Sequence, residues 1–172
     1  DIYVQTVIDL RRAVDILLSR KDVDPKRVGF VGHSYGATWG GVLAGVEKRI
    51  TTFVLMAGLP DVSDFSPSGA RDMDKISEEV KAKFNQQQVQ HYVDTLSAIA
   101  PVRFISRSSP ASIFMQFAVK DTFVSQKAAA RYYAATGSPK EQKSYFASHE
   151  LNDPAALADR QRWLQEKLKL HP

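Results

Sequence analysis

Three residues of this chain have the types and setting for nucleophilic chemistry: Ser34, Asp121 and His149. Ser34 is the centre of Gly32-His33-Ser34-Tyr35-Gly36, which follows the apolar stretch Val28-Gly29-Phe30-Val31 and opens a run of small residues with helical character. A strand that turns sharply into a helix here would hold the serine in a strained backbone conformation and raise its hydroxyl above the sheet. Gly32 and Gly36 are expected to remove the clash that bulkier neighbours would cause. The helix that follows aims unsatisfied N–H groups and a positive dipole end at the same spot. An exposed hydroxyl beside backbone donors is what acyl transfer requires. Gly-x-Ser-x-Gly alone also fits any glycine-rich turn with a solvated serine; the flanking strand and helix favour the nucleophile.

Asp121 lies two positions past the apolar run Ser112 to Val119, and His149 lies two past the short run Lys143 to Ala147. All three residues therefore fall just beyond strand ends, in the chain order Ser, Asp, His. A neutral imidazole can take the serine proton during attack and return it to the leaving group, and a buried carboxylate fixes the imidazole tautomer. Each assignment has a plainer rival. Asp121 could cap a helix starting near Val124. Asp61 and Asp64, after the second strand, are competing acids, and only side-chain direction decides between them. Among the other histidines, His33 sits inside the turn and reads as structural, His91 lies within a helical pattern and His171 lies in the tail. No His, Asp or Glu spacing suggests a metal site, and no cofactor is expected.

The elements that must position these groups alternate. Ile2 to Ser19 is an amphipathic helix, with Val7, Leu10, Val14, Leu17 and Leu18 on one face. Arg27 to Gly32 reads as a strand apolar on both faces, and Tyr35 to Val46 as a helix whose glycines imply close backbone packing. Ile50 to Ala57 is a second strand. The stretch 58–110 is long for a crossover, and a lid over Ser34 would lie there, with Phe65, Phe84, Tyr92 and Leu96 as candidate pocket residues. Their helical spacing favours instead one or two helices packed on the sheet between Asp72 and Ile99. Ser112 to Val119 is a third strand, Val124 to Thr136 a helix, Lys143 to Ala147 a fourth strand, and Pro154 to Leu168 a closing helix capped by Asp153. Alternating strands and helices imply an α/β fold with a mainly parallel sheet, right-handed crossovers and ligands at the carboxyl ends of the strands.

The 172 residues suit one domain, 1–172, with 44% hydrophobic and 24% charged residues. The absence of cysteine excludes disulfides and a thiol nucleophile. Basic residues giving a net charge of +4 are scattered over polar helix faces, without the aromatic interleaving of a nucleic-acid groove. No apolar run is long enough to span a bilayer. The opening residues lack the form of a signal peptide, which favours a cytoplasmic location without fixing it.

The chain resembles the α/β-hydrolase family, nearest to its dienelactone hydrolase and serine-esterase branch. The resemblance rests on Gly32-His33-Ser34-Tyr35-Gly36-Ala37, on Lys120-Asp121 after a strand, on Ser148-His149 before a terminal helix, and on the helix Asp9 to Ser19 with Val23-Asp24-Pro25-Lys26-Arg27-Val28 before the turn. It implies Ser34 as nucleophile, His149 as general base and acid, Asp121 as orienting acid, the Tyr35 N–H as one oxyanion donor, and a small-molecule ester as substrate. A peptidase of the prolyl-oligopeptidase type and a non-catalytic module of the same fold are the alternatives. In that family the serine follows the fifth of eight strands, whereas here it follows the first. The loop that supplies a second oxyanion N–H precedes that point, so the chain is expected to be a partial domain. An apolar strand left with a bare flank invites pairing. The edge of the strand 28–32 is therefore expected to be covered by a missing N-terminal segment or by a second copy.

Overall fold

A computed structural model describes residues 2–61, 64 and 82–170. Among these residues β1 (Gly29–His33), β2 (Thr52–Met56), β3 (Ser112–Ala118) and β4 (Lys140–Tyr145) form a parallel sheet in that order. Val31 pairs with Val54, Val54 with Phe114, and Phe114 with Glu141. The helices are α1 (Ile2–Leu18), α2 (Tyr35–Val46), α3 (Gln86–Ala98), α4 (Gln126–Ala135) and α5 (Pro154–Leu168). Two 3-10 turns, Pro101–Arg103 and Ile105–Arg107, lead into β3.

Alternation along the central strands sorts the core into two layers. Phe53, Leu55, Ile113 and Met115 pack on one face with Val7, Val14, Trp39, Leu43 and Tyr132. Val54, Phe114 and Tyr145 pack on the other with Leu151, Ala156 and Trp163. Burial on both faces explains why β2 and β3 read as nearly continuous apolar runs.

The outer strands depart from expectation. β1 begins at Gly29 rather than Arg27 and runs through His33. Val31 is 48% exposed, so β1 is not covered on both faces, and among the described residues the strand pairs only with β2. β4 starts at Lys140 and ends at Tyr145, earlier than Lys143 to Ala147. Among the described residues it is an edge strand, of mostly polar residues, and its polarity hides it from an apolar-run reading.

The glycines of α2 do answer to close packing. A Cβ at Gly41 would fall 1.9 Å from Tyr132 Oη, and one at Gly45 would fall 2.4 Å from the Phe104 carbonyl oxygen. Of the stretch 58–110, residues 62–63 and 65–81, including Phe65, lie outside the described residues. The described part contains α3, whose Asn85 cap and Gln88 form a reciprocal capping box. Leu96 is buried, whereas Phe84 and Tyr92 are half exposed. At the end of the chain Asp153 caps α5 by accepting from the N–H groups of Ala155 and Ala156. No helix among the described residues is long and apolar enough to cross a membrane.

Candidate active site

Ser34 joins β1 to α2 with φ 53° and ψ −110°. This is left-handed territory that an L-residue enters only under constraint. The constraint is visible. The Ser34 N–H donates to the Met56 carbonyl at 2.8 Å, and its own carbonyl accepts from the Thr38 N–H at 2.9 Å and from Thr38 Oγ1 at 3.0 Å. Gly32 is required, because a Cβ there would lie 2.5 Å from the Gly36 carbonyl oxygen. The expectation for Gly36 is corrected: a Cβ at that position meets nothing within 4 Å. The close approach is of the Gly36 backbone to residue 32, so only the first glycine must lack a side chain.

The turn holds Ser34 Oγ 2.8 Å from His149 Nε2. His149 lies in the loop between β4 and α5, and its Nδ1 is 3.0 and 2.9 Å from the two carboxylate oxygens of Asp121. The Asp121 side chain is only 1% exposed. Burial pushes its carboxyl up, but the hydrogen bonds from His149 and from the N–H groups of Val124 and Phe123 outweigh that and hold it below its ordinary value. An ionised Asp121 only accepts, so His149 Nδ1 carries the proton and Nε2 presents a lone pair to the serine hydroxyl.

The rival acids are occupied elsewhere. Asp61 accepts from Ser97 Oγ at 3.1 Å and lies 3.8 Å from Arg131, and Asp64 pairs with the same guanidinium. The capping role weighed for Asp121 belongs to Ser125, which accepts from the Ala128 N–H at the start of α4. Asp121 instead closes the preceding turn through Phe123 and Val124, at 2.8 and 2.9 Å. One carboxylate thus binds both the turn and the imidazole.

Tyr35 is the first residue of α2, where an N–H has no intrahelical acceptor. Beside it lies a cavity of about 520 Å³ lined by Ser34 and His149 together with Tyr3, Thr38, Trp39, Leu59, Phe123 and Val124. Tyr3 stacks on Trp39 with ring centres 4.7 Å apart. Phe84, Tyr92 and Leu96 do not line the cavity, although Tyr92 Oη lies 3.1 Å from Oη of the lining residue Tyr3. Sequence reasoning missed Tyr3, Trp39 and Phe123. The i, i+4 spacing of Tyr35 and Trp39 on a helix that starts at the serine was the available signal for one of them. Among the described residues no group of three or more His, Asp or Glu is placed to hold a metal ion.

Residues 3–170 match the Prolyl oligopeptidase family. No curated protein sequence matches the chain. Among solved structures, the fold is similar to an acetyl xylan esterase from Paenibacillus sp. R4, with a TM-score of 0.80 at 22% identity over 95% of this chain and 52% of that one. It is also similar to acetyl xylan esterase 1 from Thermoanaerobacterium sp. JW/SL YS485, with a TM-score of 0.74 at 18% identity over 96% of this chain and 52% of that one. A puromycin-hydrolyzing peptidase from Mycobacterium tuberculosis superposes with a TM-score of 0.75 at 15% identity, over 96% of this chain and 26% of its own. The chain spans about half the length of the two esterases, 52% of each. A match that runs through both core layers and all three residues of the site makes this chain a member of the prolyl oligopeptidase family, within the α/β hydrolases.

Proposed function

We propose that this chain carries the catalytic centre of a serine hydrolase that cleaves carboxylic esters through an acyl-enzyme on Ser34. The observation that carries the reading is the 2.8 Å approach of Ser34 Oγ to an imidazole nitrogen whose other nitrogen faces a buried carboxylate. In the acylation step the Ser34 hydroxyl attacks the ester carbonyl as its proton passes to His149 Nε2. Asp121 stabilises the resulting imidazolium, and the Tyr35 N–H donates to the oxyanion. His149 then protonates the departing alcohol oxygen. Water attacks the acyl-enzyme by the same route, with His149 first taking its proton and then returning it to Ser34.

The mostly apolar cavity suits a small-molecule ester. The edge of β1, which pairs only with β2 among the described residues, is covered by a further N-terminal segment of the full-length protein or by a second copy. Turnover of nitrophenyl acetate by the full-length protein, with Ser34→Ala as control, tests the reading. A wild type no faster than that control, and unlabelled by a fluorophosphonate, would leave a non-catalytic module of the same fold.

A peptidase is the second reading, favoured by the family match and by the similarity to the puromycin-hydrolyzing peptidase. Paired ester and anilide substrates separate the two: an ester hydrolase turns over the ester alone, and a peptidase turns over both.

A further inference from the structure

His33, the last residue of β1, does more than fill the turn. Its Nε2 lies 2.8 Å from the main-chain carbonyl oxygen of His149. A carbonyl can only accept, so His33 carries its proton on Nε2 and donates it there. The two imidazole rings are 5.0 Å apart. The bond therefore ties the residue next to Ser34 directly to the backbone that bears the imidazole facing Ser34.

Its geometry is a closed loop. One arm runs from Ser34 Oγ to the His149 ring, and the other runs from the His149 carbonyl to the His33 ring and back along one peptide bond to Ser34. The segment being held needs such a tie. It follows the edge strand β4 and passes through Leu151, a buried residue at φ 50°. Arg160 holds its far side by donating to the Leu151 carbonyl at 3.3 Å. The ring is held by Asp121, but without His33 the backbone at His149 would be steadied only through its neighbours: Ala147, whose carbonyl accepts from the Lys120 N–H, and Ser148, whose carbonyl accepts from the Leu151 N–H.

We infer that His33 is a positioning residue, which holds the His149 backbone at the height where its Nε2 can take the Ser34 proton. The inference rests on the proposed roles of Ser34 and His149. A misplacement of about 1 Å at a reacting pair can cost about 10²-fold in rate. Loss of the tie therefore acts on kcat rather than on substrate binding.

Three variants of the full-length protein test this. His33→Gln keeps an N–H donor at comparable reach, His33→Asn keeps an amide too short to reach, and His33→Leu removes the donor at similar size. Each is compared with wild type for kcat and KM on nitrophenyl acetate and for the rate of fluorophosphonate labelling of Ser34. The expected result is a fall of about 10–100-fold in kcat and labelling rate for the Asn and Leu variants, with KM within twofold, and substantial recovery in the Gln variant. Should the Leu variant fail to fold, the Asn and Gln pair carries the comparison. Variants lacking the donor that react as fast as wild type, or a Gln variant as slow as Asn, would overturn the inference while leaving Ser34 and His149 in place. A wild type that neither turns over nor takes the label would overturn the underlying reading, and this inference with it.

Discussion

Asp121 faces His149 with both carboxylate oxygens, Oδ1 at 3.0 and Oδ2 at 2.9 Å from the same ring nitrogen, while the backbone N–H groups of Phe123 and Val124 both donate to Oδ1. The turn at Phe123 and Val124 thus holds the acid independently of the imidazole. Asp121→Asn is therefore expected to keep the turn and lose the tautomer, because an amide N–H aimed at Nδ1 forces the ring proton onto Nε2. Steady-state kinetics on an ester should show kcat falling by about 10⁴ with KM little changed. A loss below tenfold would remove Asp121 from the mechanism.

The backbone of Ser34 predicts an inverted glycine effect. At φ 53° and ψ −110° glycine is at ease and alanine is not. Strain of this kind costs of order 1–3 kcal/mol. Both Ser34→Ala and Ser34→Gly should abolish ester turnover, but urea unfolding should find the glycine variant more stable than the alanine variant by about 1 kcal/mol. Elsewhere in a helix or strand the order would be reversed.

The two glycines flanking the serine should part company. Gly32→Ala drives a Cβ to within 2.5 Å of the Gly36 carbonyl oxygen and should destabilise by about 1–3 kcal/mol. Gly36→Ala meets open space within the first turn of α2, and helix propensity favours it by up to about 1 kcal/mol. Paired denaturation curves would check the contrast, and equal losses at both positions would contradict it.

A pH dependence follows from Glu47, at the end of α2. Hydrogen bonding by the Arg49 guanidinium outweighs burial and lowers the Glu47 carboxyl to about 2 from an ordinary 4.5. A depressed folded-state value means that the stabilisation is complete above pH 4.5 and is lost as pH falls toward 2. Glu47→Gln should thus be less stable than wild type at neutral pH. The gap between their unfolding midpoints should close on acidification through that window.

Much of this arrangement could be read from the chain because its signals are local. The turn at Ser34 follows from Gly32 beside an apolar strand, and the positions of Asp121 and His149 follow from where the strands stop. What could not be read depends on partners distant in sequence. Asp61 and Asp64 were excluded as acids by Arg131 on α4, a pairing with no local signature. Tyr3 reached the cavity wall by stacking on Trp39 across two helices, and the amphipathic pattern of α1 gave the buried face without its neighbour. The start of β4 was missed for another reason: an edge strand of Lys, Glu, Gln and Ser has no hydrophobic run to announce it.

The strand order carries one last consequence. Ser34 hangs from β1 and the His149 loop from β4, at opposite borders of the described sheet, whereas Asp121 leaves β3 beside the histidine's own strand. Flexing of the sheet therefore loads the hydroxyl–imidazole contact, and the His33 bond that spans the same gap, more than the carboxylate–imidazole contact. When this protein loosens, on warming or in denaturant, Ser34 and His149 should part first, and any ester turnover should fade while most of the fold is still intact.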